Sequence, residues 1–217
     1  TGSTNKTLFI ANQLTIANSL TLTSGILNVG VSTLTLNGSI SRTSGNIDAS
    51  NASATLVFGG STAQTIPAST FTGEIKNLTL NNSAGLSISQ DLSVVGTLAL
   101  TSGKLTLGAN HLTLGLNASI GGTPSASNMI IASGEGELRK RFSAANLNAF
   151  VFPVGTGSNY TPVELDFTSG TFEADAYMRV RVKNEKSSFL NSNVTTYLNR
   201  NWIVEPFGIT SPNYSIK

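Results

Sequence analysis

Aliphatic residues in the first half of the chain come in pairs at i and i+2, with one polar or small residue between them. The pairs run Leu8/Ile10, Leu14/Ile16, Leu20/Leu22, Leu27/Val29 and Leu34/Leu36. They resume as Leu78/Leu80, Leu86/Ile88, Leu92/Val94, Leu98/Leu100, Leu105/Leu107 and Leu112/Leu114. Side chains alternate faces along a strand, so each pair predicts a short strand whose middle residue points outward. The i, i+3, i+4 spacing of a helix is missing. Every third strand recurs 19 or 20 residues further on: Leu78 to Leu98, Leu86 to Leu105, Leu92 to Leu112. Three short strands in a coil of about 20 residues predict a three-sided parallel β-helix, a solenoid whose inward Leu and Ile stack from coil to coil.

One stretch is written twice. LTLTSGILNVGVSTLTL (20–36) returns as LALTSGKLTLGANHLTL (98–114), an offset of 78 residues that reads as about four coils. Gly25, Gly30, Gly38, Gly85, Gly96, Gly103 and Gly108 fall between strands, where corners need tight bends. Stacked at the strand spacing, six or so coils give a rod roughly 30 Å long, with an interior too narrow to need aromatic rings. Residues 39–76 fit the rhythm less well. GNIDASNASAT and IPASTFTGE there predict longer loops protruding from the coil, the places where a solenoid carries specificity.

The texture changes near residue 127. Residues 1–128 hold 7 charged and 3 aromatic side chains, and residues 129–217 hold the other 17 and 12. TFEADAYMRVRVKN puts Phe172, Ala174, Ala176, Met178, Val180 and Val182 on one face and Glu173, Asp175, Tyr177, Arg179, Arg181 and Lys183 on the other, an antiparallel strand with one wet side. NMIIASG, GELRKRF, AFVFPV, TPVELDF and NRNWIVE are further strand candidates. The expected organisation is a β-helix over 1–127, a joint at GGTPSASN, and an antiparallel β-sandwich-like domain over 128–217 capping the last coil. Both ends look cut, which predicts a piece of a longer chain truncated at its C-terminus.

FGGSTAQTI (58–66), NLTLNNSAG (77–85) and the LTLTSG coils resemble the repeats of large secreted surface proteins of Bacteroidota. FPVGTGSNYTPVEL (152–165) and NRNWIV (199–204) are similar to the module that often follows those repeats. The resemblance implies export by the type IX secretion pathway and display at the cell surface as an adhesin-like or gliding-associated stalk. It implies a sorting domain outside these 217 residues and brings no catalytic residues.

Composition narrows the chemistry further. Only 11% of residues are charged and the net charge is +2, with no dominant basic stripe, so nucleic acid is not an expected partner. There is no cysteine, which excludes disulfides and thiolate chemistry. No apolar run reaches the roughly 20 residues of a membrane span. A polysaccharide lyase or hydrolase on a β-helix is the rival reading, but it needs two or three carboxylates close together. The coils offer only Asp48, Glu74 and Asp91, whose spacings do not match a 20-residue coil. His111, the one histidine, aligns with Thr33 of the repeat and reads as a surface residue. Outward Thr21/Thr23, Thr33/Thr35, Thr79 and Thr113 suggest an ice-binding ladder, yet Ala99 and His111 interrupt the doublets.

Arg139, Lys140, Arg141, Arg179, Arg181 and Lys183 cluster in sequence as a possible contact for acidic glycan, set against a solvent face balanced by Glu135, Glu137, Glu173 and Asp175. The expectation is a secreted, surface-attached structural or adhesion module that is not an enzyme and uses no cofactor or metal. Its partners would be surface polysaccharide or another surface protein.

Overall fold

The computed structural model describes residues 6–217; residues 1–5 of the expected solenoid segment lie outside the described residues. All secondary structure in it is β. The paired aliphatics form a β-solenoid of about seven turns with about 22 residues per turn. Individual turns vary from 19 residues (Thr7 to Ile26) to 26 (Leu112 to Leu138).

Three ladders of parallel strands line the solenoid. Face I stacks Thr7–Phe9, Ile26–Asn28 and Asn46–Asp48, continues through single bridges at Phe71 and Ile75, and ends with Leu92–Val94, Leu112–Leu114 and Leu138–Arg141. Face II is unbroken: Leu14–Ile16, Thr33–Leu36, Thr55–Phe58, Asn77–Asn81, Thr97–Ser102 and Ser119–Gly122. Face III begins with Ser19–Leu22 and Ser39–Arg42. It resumes with Gln64–Ile66, Leu86–Ile88, Leu105–Thr106, Ile130–Ile131 and Val154–Thr156. Across the gap in that ladder the Gln64 side chain replaces backbone pairing, its Nε2 donating to the carbonyls of Leu36 (2.8 Å) and Gly38 (2.7 Å).

The predicted register is present: Leu78 lies over Leu98, Leu86 over Leu105 and Leu92 over Leu112. On face II the inward pairs Leu34/Leu36, Leu56/Phe58, Leu78/Leu80 and Leu98/Leu100 are fully buried. Each such side chain contributes about 1.5–3 kcal/mol by leaving water. Phe58 sits among the leucines, in register with Leu36 and Leu80, so the interior does accept an aromatic ring.

Three expectations need correction. The twin stretches 20–36 and 98–114 are not a whole number of turns apart. Ser19–Leu22 belongs to face III, whereas Leu98 and Leu100 belong to face II. The same words are read one face out of phase, because each side asks for the same inward-outward-inward strand. Residues 39–76 also keep the rhythm of the ladders. They form ladder strands at Ser39–Arg42, Asn46–Asp48, Thr55–Phe58 and Gln64–Ile66, with Ala49, Ala54, Ile75 and Phe71 buried at the bends. Small residues turned inward there do the work of an aliphatic pair, which hides the period.

The third correction concerns residues 128–217. No break in the ladders falls at 127/128: Leu105 pairs with Ile130 on face III, Leu112 with Leu138 on face I, and Ile130 with Val154 one turn on. In place of a separate sandwich, the long strand Val163–Lys183 closes the solenoid. Its second half runs antiparallel to Leu138–Arg141 (Leu138 opposite Val180), and its first half runs antiparallel to Phe150–Phe152. Asn201–Ile216 pairs along its other edge. TPVELDF and TFEADAYMRVRVKN are thus one strand of 21 residues. The buried Val163, Leu165, Phe167, Ala176, Met178, Val180 and Val182 join the same core as the solenoid leucines. Register shifts between Phe172 and Tyr177 throw Ala174 outward, against the simple alternation.

The aromatic residues gather at this closed end. Phe167 packs on Phe142 (4.9 Å between centroids), Phe172 (5.6 Å) and Tyr214 (5.2 Å). A last turn has no further turn above it, so larger side chains fill what a leucine pair would leave open.

Candidate interaction surface

Beyond the last solenoid turn, face I widens into an antiparallel sheet of Leu138–Arg141, Val163–Lys183 and Asn201–Ile216. Its register sets the outward side chains in rows. Arg139, Arg179 and Glu205 form one row, and Arg141, Tyr177 and Phe207 the next. Five of the six basic residues picked out in the sequence come together on or near this surface.

Lys140 does not. It lies between outward Arg139 and Arg141, so the alternation of the strand turns it inward, in register with Leu114 and Met178. Its ammonium donates to the carbonyls of Gly115 (2.8 Å), Leu116 (2.8 Å) and Arg141 (2.9 Å), which match its three N–H groups. Phe142 and Phe150 stand 5.2 and 5.4 Å away. Burial lowers its pKa from the usual 10.5 to about 8. Lys140 is therefore a corner staple and cannot share a surface with the arginines.

The remaining cations are matched by carboxylates. Glu137, only 4% exposed, accepts from Arg139 (2.9 Å) and Arg179 (3.3 Å), with His111 Nδ1 at 3.6 Å. Arg179 also reaches Glu205 (2.8 Å), Arg181 reaches Glu135 (2.8 Å), and Arg141 pairs with Asp175. Lys183 stands 4.0 Å from Glu185. In the sequence Glu137 reads as one balancing charge among four. Its role at the centre of the cluster follows from the register, which sets it beside Arg139 and one strand from Arg179.

Sequence reading missed the aromatic pair. Tyr177 and Phe207 are cross-strand neighbours with rings stacked at 4.9 Å and 14°, and the Arg139 guanidinium lies 5.1 Å over Tyr177. Phe207 remains 53% exposed. The signal lay in the alternation of IVEPF, which places Ile203, Glu205 and Phe207 together, but the partner strand could not be read from sequence.

The solenoid carboxylates are engaged locally. Asp48 accepts from Asn28 Nδ2 (2.8 Å) and from Ser50, Asp91 from the backbone N–H of His111 (2.8 Å), and Glu74 from Ser93 (3.4 Å). All three lie along face I, but no two of them are register partners. Among the described residues no group of three or more His, Asp or Glu side chains is placed to hold a metal ion. The outward threonines are divided among the faces: Thr33, Thr35 and Thr79 lie on face II, Thr21 on face III, and Thr113 with His111 on or beside face I. Ala99 does follow Thr79 on face II, whereas His111 interrupts nothing there.

Among the described residues no helix is long and apolar enough to cross a membrane. The chain was compared with protein-family models, with curated proteins and with solved structures, and none of the three comparisons gives a match.

Proposed function

We propose that this chain is a non-catalytic structural segment of a secreted, surface-displayed protein, a short stiff shaft that holds neighbouring parts away from the cell. The resemblance to Bacteroidota repeat modules suggests an adhesin-like setting and type IX export. The observation that supports the reading best is the run of stacked ladders from Thr7 to Thr156, about seven turns sharing one core with the closing hairpin. Each turn is held by backbone hydrogen bonds to its neighbours and by leucines stacked along the axis, so load applied to one turn is shared with the next. The carboxylates supply no second support for the rival carbohydrate-active reading, since each is engaged by local donors.

Two measurements test it. In single-molecule extension the chain should resist as one unit or peel turn by turn from an end, with length steps of about one turn. Unfolding in two unequal blocks divided near residue 128 would contradict a shaft. Incubation with a polysaccharide panel should release no product. Hydrolysis or elimination abolished by Asp48→Ala or Asp91→Ala would replace the shaft with an enzyme.

A further inference from the structure

The closing hairpin carries an exposed aromatic plane framed by cancelled charges, and we infer that it is a contact site for a neutral sugar ring. Phe207 stacks by one face on Tyr177, which in turn lies under Arg139. Asn201–Ile216 pairs only with Val163–Lys183 among the described strands, so it is an edge strand, and Phe207, stacked on Tyr177 of the neighbouring strand, stays exposed there. Arg179–Glu205 forms the adjacent row, two residues along the strands from the aromatic pair, while Arg141, paired with Asp175, ends the pair's own row on the far side of Tyr177 from Phe207. Residues two apart on a strand share a face at about 6.7 Å, close to the span of one pyranose ring and its hydroxyls.

Each component has a chemical counterpart in a sugar. The axial C–H groups of a pyranose make an apolar face that packs on an aromatic ring, here one whose orientation is already fixed by Tyr177 beneath it. Neighbouring hydroxyls each donate and accept. A guanidinium beside a carboxylate offers donors and acceptors side by side, in a geometry that the salt bridge holds in place.

The charge balance selects among glycans. Arg139 and Arg179 are met by Glu137 and Glu205, Arg141 by Asp175 and Arg181 by Glu135. An acidic sugar would have to displace a carboxylate from its arginine before gaining anything, whereas a neutral one can add to the pairs without breaking them. This reverses the expectation of an acidic-glycan patch: the arginines remain, and the ligand preference changes. The inference deepens the adhesion side of the proposed function and rests on surface display only for its biological setting, since the shaft itself does not depend on it.

The test is isothermal titration of the whole chain with cellohexaose, mannohexaose and chitohexaose, and with hexagalacturonate as the acidic probe, at 0.05 and 0.5 M NaCl. At least one neutral hexasaccharide should bind saturably, with affinity that salt changes less than twofold. Phe207→Ala should weaken it tenfold or more, and Phe207→Trp should keep it within threefold. Glu205→Gln, which keeps the aromatic plane, should weaken it severalfold. Circular dichroism melting of each variant identifies any loss of fold, and Phe207→Trp with Glu205→Gln keeps the test open should Phe207→Ala unfold. Three results overturn the inference: no neutral hexasaccharide bound, neutral binding unchanged in Phe207→Ala, or salt-sensitive binding of hexagalacturonate alone. None of these bears on the extension experiment, so the failure of the site and the failure of the shaft are distinguishable.

Discussion

Lys140 shows how strongly position overrides residue type in this chain. An inward lysine in a solenoid is tolerated because three backbone carbonyls at a corner receive its three N–H groups. Lys140→Met would match the apolar rungs Leu114 and Met178 but leave those carbonyls without their donor. It should destabilise by about 1–3 kcal/mol in urea denaturation near neutral pH. The folded lysine releases its proton near pH 8 and the unfolded one near 10.5, so between those values the unfolded state binds more protons and stability rises with pH. Relative to Lys140→Met, the wild-type chain should gain on the order of 2 kcal/mol from pH 8 to 10.5; a flat difference would remove the titration from the account. Gly103 is the opposite case, a residue whose smallness is required. It has φ +89°, and a Cβ there would lie 1.7 Å from the Asn82 carbonyl oxygen of the turn beneath. Gly103→Ala should cost about 3 kcal/mol or more by thermal or urea melting, since neither the backbone nor the neighbouring turn has room to yield.

At the scale of elements, the strands of the solenoid were legible because each is defined by its own two inward residues. Leu78/Leu80 or Leu98/Leu100 announces a strand whatever surrounds it, and the 20-residue return announces the ladder. What could not be read was which face a strand occupies. The copies at 20–36 and 98–114 are alike yet sit on different faces, because all three faces make the same demand. The segment 39–76 hid its period by using Ala49, Ala54 and single bridges at Phe71 and Ile75 where other turns use leucine pairs. In the closing hairpin the alternation of Ala176 to Val182 was readable, while Tyr177 stacked on Phe207 depends on a strand pairing 30 residues apart in sequence. The six cationic positions were legible as a cluster in sequence, but the inward turn of Lys140 and the burial of Glu137 beside Arg139 and Arg179 were not. Strand position also sets the energetic weight of a leucine. Leu98→Ala, in the middle of face II between Leu78 and Ile120, should cost about 2–5 kcal/mol, whereas Leu8→Ala, 66% exposed in the first turn, should cost under about 0.5 kcal/mol. Equal effects at the two sites would mean that the axial core does not carry the stability.

The whole molecule is polar in construction, with an early turn that exposes Leu8 and Phe9 and a last turn sealed by aromatic residues and a long antiparallel ribbon. The edge strand of that ribbon is interrupted by Pro206 and Pro212, and Gly208 and Ser211 adopt positive φ, which breaks up an otherwise long template for strand addition. The change in composition near residue 127 therefore marks a change in how the core is filled, while the wound chain runs on through it. Thr106 and Ile131 face outward in directly stacked strands on either side of that point, as do Ser87 and Thr106 one turn earlier. Stacked parallel strands lie about 4.8 Å apart, within the reach of a disulfide, and the chain has no cysteine of its own. The most direct measurement is the rate of disulfide formation in native Thr106→Cys/Ile131→Cys compared with Ser87→Cys/Thr106→Cys. A continuous shaft predicts rapid and similar closure of both pairs; closure of the earlier pair alone would contradict it.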